Sequence, residues 1–163
     1  WQKFEDLLKL AQDRDIIVQI EIWDRFDHAR EQWLTDPFNP KNNVNYTYAE
    51  AKLDSLYPDH PGQNKQPFFF TPPSLQDNQV LLKYQQAFVE KLLSISLAYK
   101  NVLYCLDNET SGKEEWATYW ASFLREKSGD KAIILTEMWD HWDLKSAEHK
   151  RTLDHPEIGR AHV

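Results

Sequence analysis

"NVLYCLDNETSGKEEW", residues 101–116, begins as a short apolar run and stops abruptly on Asp107, Asn108 and Glu109. A strand that ends on three polar side chains, followed at once by a helical pattern, is either a turn or the edge of a site. Asp and Asn are turn formers, and Glu109 alone would fit as an acidic group near a helix start. The neighbouring strands decide which reading carries further.

Upstream, "IIVQIEIWDRFD" at residues 16–27 is rich in β-branched residues and starts as a continuous apolar stretch, as buried parallel strands do. From Val18 it alternates, with Val18, Ile20 and Ile22 on one face and Gln19, Glu21 and Trp23 on the other. Downstream, "KAIILTEMWDHWD" at 131–143 reads as a third strand. Helical patterns separate them. Phe4, Leu7, Leu8 and Ala11 form a stripe within residues 1–15. Residues 79–100 are the strongest helix, with Val80, Tyr84, Ala87, Phe88, Lys91, Leu92 and Ile95 on a broad face. Residues 111–130 are another, with Trp116, Trp120, Phe123 and Leu124 inward and Ser111 and Glu114 in a capping-box pattern. "SAEHKRTLDHP" begins one more. Strands alternating with helices imply βαβ units and a parallel sheet. Two α/β architectures satisfy this: an open doubly wound sheet and a (β/α)8 barrel.

All three strands end alike, in acidic and aromatic residues: Glu21-Ile22-Trp23-Asp24-Arg25, Asp107-Asn108-Glu109, and Glu137-Met138-Trp139-Asp140-His141-Trp142-Asp143. In both architectures ligands bind at the carboxyl ends of strands. No Gly-rich phosphate loop follows any strand, and a mouth lined with Asp and Glu is a poor host for phosphate. Carboxylates with Trp suit a neutral polyhydroxylated ligand, hydrogen-bonded at its edges and stacked on its faces. Glycosidic hydrolysis needs two carboxyl groups, one to donate a proton and one to act as nucleophile or base.

Composition agrees with a globular domain. The chain has 163 residues, 28% of them charged, with seven Trp, seven Tyr and eight Phe. A net charge of −7 opposes nucleic acid and anionic membranes as partners, and no apolar stretch reaches membrane-spanning length. Cys105 is the sole cysteine, so no internal disulfide forms; inside an apolar strand it reads as inert packing. Residues 28–78 hold seven of the eight prolines and read as a long irregular segment, with local helix around Tyr48 to Leu56. Loops of that length are usually functional.

A strand ending in Asn-Glu directly before a helix resembles the fourth strand of clan A glycoside hydrolases, the cellulase-like superfamily of (β/α)8 barrels. The run as a whole is similar to the middle of uncharacterised cellulase-like barrel proteins from polysaccharide-degrading bacteria. The resemblance implies a partial (β/α)8 TIM barrel, about strands three to five with their helices. Residues 1–157 would be part of one catalytic domain, and 28–78 the third β-to-α loop. It implies Glu109 as general acid/base of a retaining mechanism and Asn108 as the group that binds the sugar 2-hydroxyl. The nucleophile would lie on a seventh strand outside this sequence. Asp107, Glu21, Trp23, Asp24, Arg25, Glu137, Trp139 and His141 complete the expected sugar-binding rim. By strand alternation Asp107 shares the face of Glu109. The implied ligand is a poly- or oligosaccharide, with no cofactor or metal and a periplasmic or extracellular location.

Alternatives stay open: a barrel that binds carbohydrate without catalysis, and a metal-dependent barrel hydrolase. For the latter, Asp140-His141-Trp142-Asp143 has no regular ligand spacing to His28 or His60 and reads better as a solvated loop. The last six residues, 158–163, match one reading frame of a sequencing-adapter oligonucleotide that continues into a stop. The expectation is a longer gene closed by a non-native tail.

Overall fold

The computed structural model describes residues 1–158; of the expected tail, residues 159–163 lie outside that range, while Ile158 is buried in the core. Three strands, β1 (Val18–Glu21), β2 (Val102–Cys105) and β3 (Leu135–Thr136), form one parallel sheet in the order β1-β2-β3. Val18 pairs with Val102 and Glu21 with Cys105; Tyr104 pairs with Leu135 and Cys105 with Thr136. The strands are shorter than the sequence suggests, but the ladder continues past them. Ile22 N–H donates to Cys105 O at 2.9 Å, Asn108 N–H to Trp23 O at 2.9 Å, and Thr110 N–H to Met138 O at 2.7 Å. The acidic strand ends are thereby stitched into one rim.

Six helices accompany the sheet: α1 (Gln2–Gln12), α2 (Arg30–Trp33), α3 (Tyr48–Ala51), α4 (Gln79–Ser96), α5 (Glu114–Ser128) and α6 (Ala147–Asp154). Leu8 of α1, Leu81, Val89 and Leu93 of α4, and Trp116, Trp120 and Leu124 of α5 join Ile20, Tyr104 and Leu135 in one core. These strand residues share a face. On the opposite face Gln19, Glu21 and Ile134 are exposed and Leu103 is half-buried, while Cys105 and Thr136 at its carboxyl end are buried. A doubly wound sheet carries helices on both faces. Here, among the described residues, α1, α4 and α5 all meet the core through the same face.

Three local expectations are corrected. The buried face of α4 is Leu81, Leu82, Gln85, Val89, Leu92, Leu93 and Ser96, while Ala87 and Lys91 are exposed. Val80, Tyr84, Phe88 and Ile95 of the expected face are partly buried at its margin, and Gln85 is held inside by donating to Phe68 O and accepting from Thr71 Oγ1. The capping box at Ser111 is absent. Helix α5 starts at Glu114 after Lys113 with no side-chain cap, because Thr110 Oγ1 takes the Gly112 amide and Ser111 turns its hydroxyl to Gly62 O. The alternation through Trp23 also breaks, since Ile22 and Trp23 are both buried.

Residues 28–78 are folded upon themselves rather than loose. Asn39, fully buried, donates to Trp33 O and accepts from Lys41 N–H and the Tyr48 hydroxyl. Trp33 donates its indole N–H to Asp54 O. Thr47 and Glu50 form the capping box of α3. The Asn residues that looked like loop formers thus replace a regular backbone ladder with side-chain-to-backbone bonds. They seat Phe38 and Phe68 against Trp23.

Candidate functional site

The expected rim residues do gather, in two layers of different character. The lower layer is a buried charge cluster. Asp107 is fully buried and Arg25 is 1% exposed. Arg25 Nε donates to Asp107 Oδ2 at 3.0 Å and to Thr110 Oγ1 at 3.1 Å, and Nη1 donates to Asn64 Oδ1 at 2.7 Å. The guanidinium lies 4.1 Å from the centre of the Phe69 ring. Thr110 closes the cluster by donating to Asp107 Oδ2 at 2.8 Å. Gly112 is required by proximity: a Cβ there would stand 2.0 Å from Arg25 Nη2. Asp107 Oδ1 and Arg25 Nη2 are buried without partners among the described residues.

Both charged groups are pushed toward neutrality. Burial raises the Asp107 carboxyl to about 7 against the pull of Arg25 and Thr110, and burial likewise lowers Arg25. The 3.0 Å contact argues for an ion pair. The bare Oδ1 in a dry site explains why that contact does not keep Asp107 in the ordinary carboxylate range. Asp107 and Arg25 therefore brace the rim from within. They are not accessible to a ligand as expected.

The upper layer is open. Glu109 is exposed, with its backbone in the left-handed region at φ 42°. This breaks the alternation that would have put Asp107 and Glu109 on one face. The conformation costs an L-residue about 1–2 kcal/mol and is imposed from both sides, by the Asn108 and Thr110 amide bonds across to Trp23 and Met138. Beside it Asn108, half-buried, donates Nδ2–H to Asp24 Oδ2 at 2.9 Å, and Asp24 Oδ1 accepts from the Phe26 amide. Asn108 keeps its amide oxygen and a second N–H for a ligand. Glu21 is also exposed, at the end of β1 and bonded by Gln19 at 3.4 Å.

The third strand end is committed to α6. Glu137, nearly buried, accepts from Thr152 Oγ1 at 2.5 Å, Trp139 Nε1 at 3.1 Å and Arg151 Nη2 at 3.4 Å. The Arg151 guanidinium lies 4.1 Å from the centre of the Trp139 ring. His141 is exposed in the loop that follows. Trp23 departs most from a sugar platform: at 1% exposure it packs on Phe38, Phe68, Phe88, Trp116 and Trp120. Its neighbours come from α4, α5 and the long segment, which together enclose both ring faces.

Thr110, Asn64, Phe69 and Gly112 were not foreseen. Only Gly112 carried a signal, as one of four glycines in the chain, placed three residues after Glu109. His28 contacts Asp36 at 2.5 Å and stacks on Phe68. Cys105 is buried, and burial pushes its thiol up to about 11, which keeps it protonated. Among the described residues no His, Cys, Asp and Glu group is arranged to hold a metal ion, and no helix is long and apolar enough to cross a membrane. A cavity of about 450 Å³ lined by Leu97, Tyr99, Lys100, Val102, Lys131 and Ile133 lies at the amino ends of β2 and β3, remote from the rim. Compared with protein-family models, curated proteins and solved structures, the chain matches none.

Proposed function

We propose that these residues form about the third to fifth strands of a (β/α)8 barrel that hydrolyses O-glycosidic bonds of a poly- or oligosaccharide. Sequential parallel strands with their helices on one face support the barrel reading, because a right-handed crossover repeated in one direction places every helix outside. The observation that carries the function is Glu109: an exposed carboxylate at the carboxyl edge of the middle strand, held in a strained backbone by ladder bonds on both flanks. Five other non-glycine residues share the positive φ; what supports the reading is the exposed carboxylate's place on the rim beside Asn108.

In this reading Glu109 protonates the leaving oxygen and then takes a proton from the attacking water. Asn108, fixed by Asp24, presents its free amide oxygen and N–H to the neighbouring sugar hydroxyl. The nucleophilic carboxylate comes from another part of the barrel. Asp107 and Asp24 do not supply it, because one is buried on Arg25 and the other is engaged by Asn108 and the Phe26 amide. In the complete protein, Glu109→Gln is expected to lower hydrolysis of an oligosaccharide by roughly 10²–10⁴-fold while leaving its binding in place. Unchanged turnover would remove Glu109 from the role. Retained oligosaccharide binding by a wild type that turns nothing over would favour a carbohydrate-binding barrel.

A further inference from the structure

The bend at residues 107–110 carries the proposed acid/base, and its two ends are joined to each other. Thr110 Oγ1 donates to Asp107 Oδ2 at 2.8 Å, and one donor, Arg25 Nε–H, meets both of those oxygens, at 3.1 Å and 3.0 Å. Asp107 and Thr110 are buried, while Glu109 between them is exposed. The three side chains close a ring on the buried side of the bend, and the carboxylate of Glu109 stands outside it. The same guanidinium reaches a further segment. Nη1 donates to Asn64 Oδ1 at 2.7 Å, and Cζ lies 4.1 Å from the centre of the Phe69 ring. Asn64 and Phe69 belong to the long segment, which touches the bend's exit again where Ser111 Oγ donates to Gly62 O at 3.3 Å. Arg25 itself follows β1, so one side chain joins the ends of β1 and β2 to the long segment.

Stability alone is a poor account of this cluster. Two charges taken out of water must recover their lost hydration from each other, and a well-packed apolar pair of similar volume often does as well or better. Here the recovery is incomplete, since Asp107 Oδ1 and Arg25 Nη2 have no partner among the described residues. What an apolar pair does not supply is direction. A guanidinium is planar, with its donors at fixed angles. It holds Asp107, Thr110 and Asn64 at once, and so leaves the bend one place to stand relative to the long segment.

We propose that Arg25 is a positioning residue for the hydrolysis described above. Through Asp107 and Thr110 it sets where the Glu109 carboxyl stands, and through Asn64 it holds the long segment against the same bend. The proposal rests on the glycoside reading and adds to it a residue that is buried away from substrate. Misplacing a catalytic group by about 1 Å can cost roughly 10²-fold in rate. Substrate binding, made by other groups, is spared.

The test uses the complete protein with cellohexaose, xylohexaose and mannohexaose, and takes kcat and KM on the probe hydrolysed fastest. Arg25→Lys keeps the charge but not the planar fork. Its kcat should fall roughly 10²-fold while KM stays within about threefold of wild type. Thr110 answers the same question should Arg25→Lys fail to fold. Thr110→Val keeps the shape without the hydroxyl and should lower kcat by about tenfold or more, whereas Thr110→Ser, which keeps the hydroxyl, should stay within about threefold of wild type. Urea unfolding of each variant gives the folded fraction to which kcat is referred. A folded Arg25→Lys or Thr110→Val that turns over as wild type does, a change confined to KM, or equal losses in Thr110→Val and Thr110→Ser overturns the positioning role and leaves the acid/base reading standing. Wild type that hydrolyses none of the three probes, or Glu109→Gln as active as wild type, overturns the acid/base reading and the positioning role with it.

Discussion

Asp107 shows how one position can mislead and inform at once. Read as a strand-end carboxylate, it looked like a ligand to substrate. Buried, it is a brace whose energetics depend on pH. Its folded value of about 7 lies above the ordinary 3.8. The folded state therefore holds a proton that the unfolded state has released, and stability is lost as pH rises between those two values. Asp107→Asn keeps the shape and removes the titration. The variant should gain stability relative to wild type as pH rises from 3.8 to about 7, and the difference should be constant above that window. Urea unfolding of both proteins across the range measures it. A difference that stays constant across that window would mean that Arg25 holds Asp107 charged in the folded state throughout.

The elements were legible where periodicity and burial coincide. Leu8 and Ala11 of α1, and Trp116, Trp120, Phe123 and Leu124 of α5, are inward as their spacing requires, whereas Leu7 of the expected α1 stripe is more than half exposed. The three parallel strands follow from short apolar runs between helices. What spacing does not encode is the nonlocal partner that draws a side chain away from its local role. Ser111 does not cap α5 because its hydroxyl is turned to Gly62 O, and Glu109 left the strand pattern because the rim ladder holds both its neighbours. The long segment illustrates the same limit. Its Asn and Tyr residues announce a loop, but the bonds of Asn39 and Trp33 that fold it are nonlocal. Asn78 joins that segment to the core: its Oδ1 accepts from Leu81 N–H at the start of α4, and its Nδ2 donates to Ala51 O of α3 at 2.6 Å. Asn78→Ala should cost about 1–3 kcal/mol and loosen α3 against α4, read as a lower urea midpoint and faster amide exchange at residues 48–53. Exchange unchanged there would separate α3 from this cap.

At the scale of the whole molecule, the sheet has two open edges, β1 and β3, and one face without helices among the described residues. Ile16, Ile17 and Ile134 are each more than half exposed. Edges and apolar faces of this kind recruit other chains. The isolated 163 residues are accordingly expected to self-associate with rising concentration and to lack glycosidase turnover. Ile134→Lys should shift light scattering toward the monomer. A monodisperse monomer at high concentration would argue that this surface is complete as it stands. The sequence order of elements made the parallel sheet readable. The architecture around the three strands was not readable, because each βαβ unit carries information only about its own neighbours.

The central claim is that Glu109 serves as acid/base of a retaining glycosidase, and replacing its chemistry from outside tests it most directly. In the complete protein, Glu109→Ala should lose activity on an activated aryl glycoside, and added azide should restore it by attacking the glycosyl-enzyme without base assistance. The product should be a glycosyl azide with the anomeric configuration of the substrate. A Glu109→Ala protein that hydrolyses as wild type does, or a glycosyl azide of inverted configuration, would contradict the account.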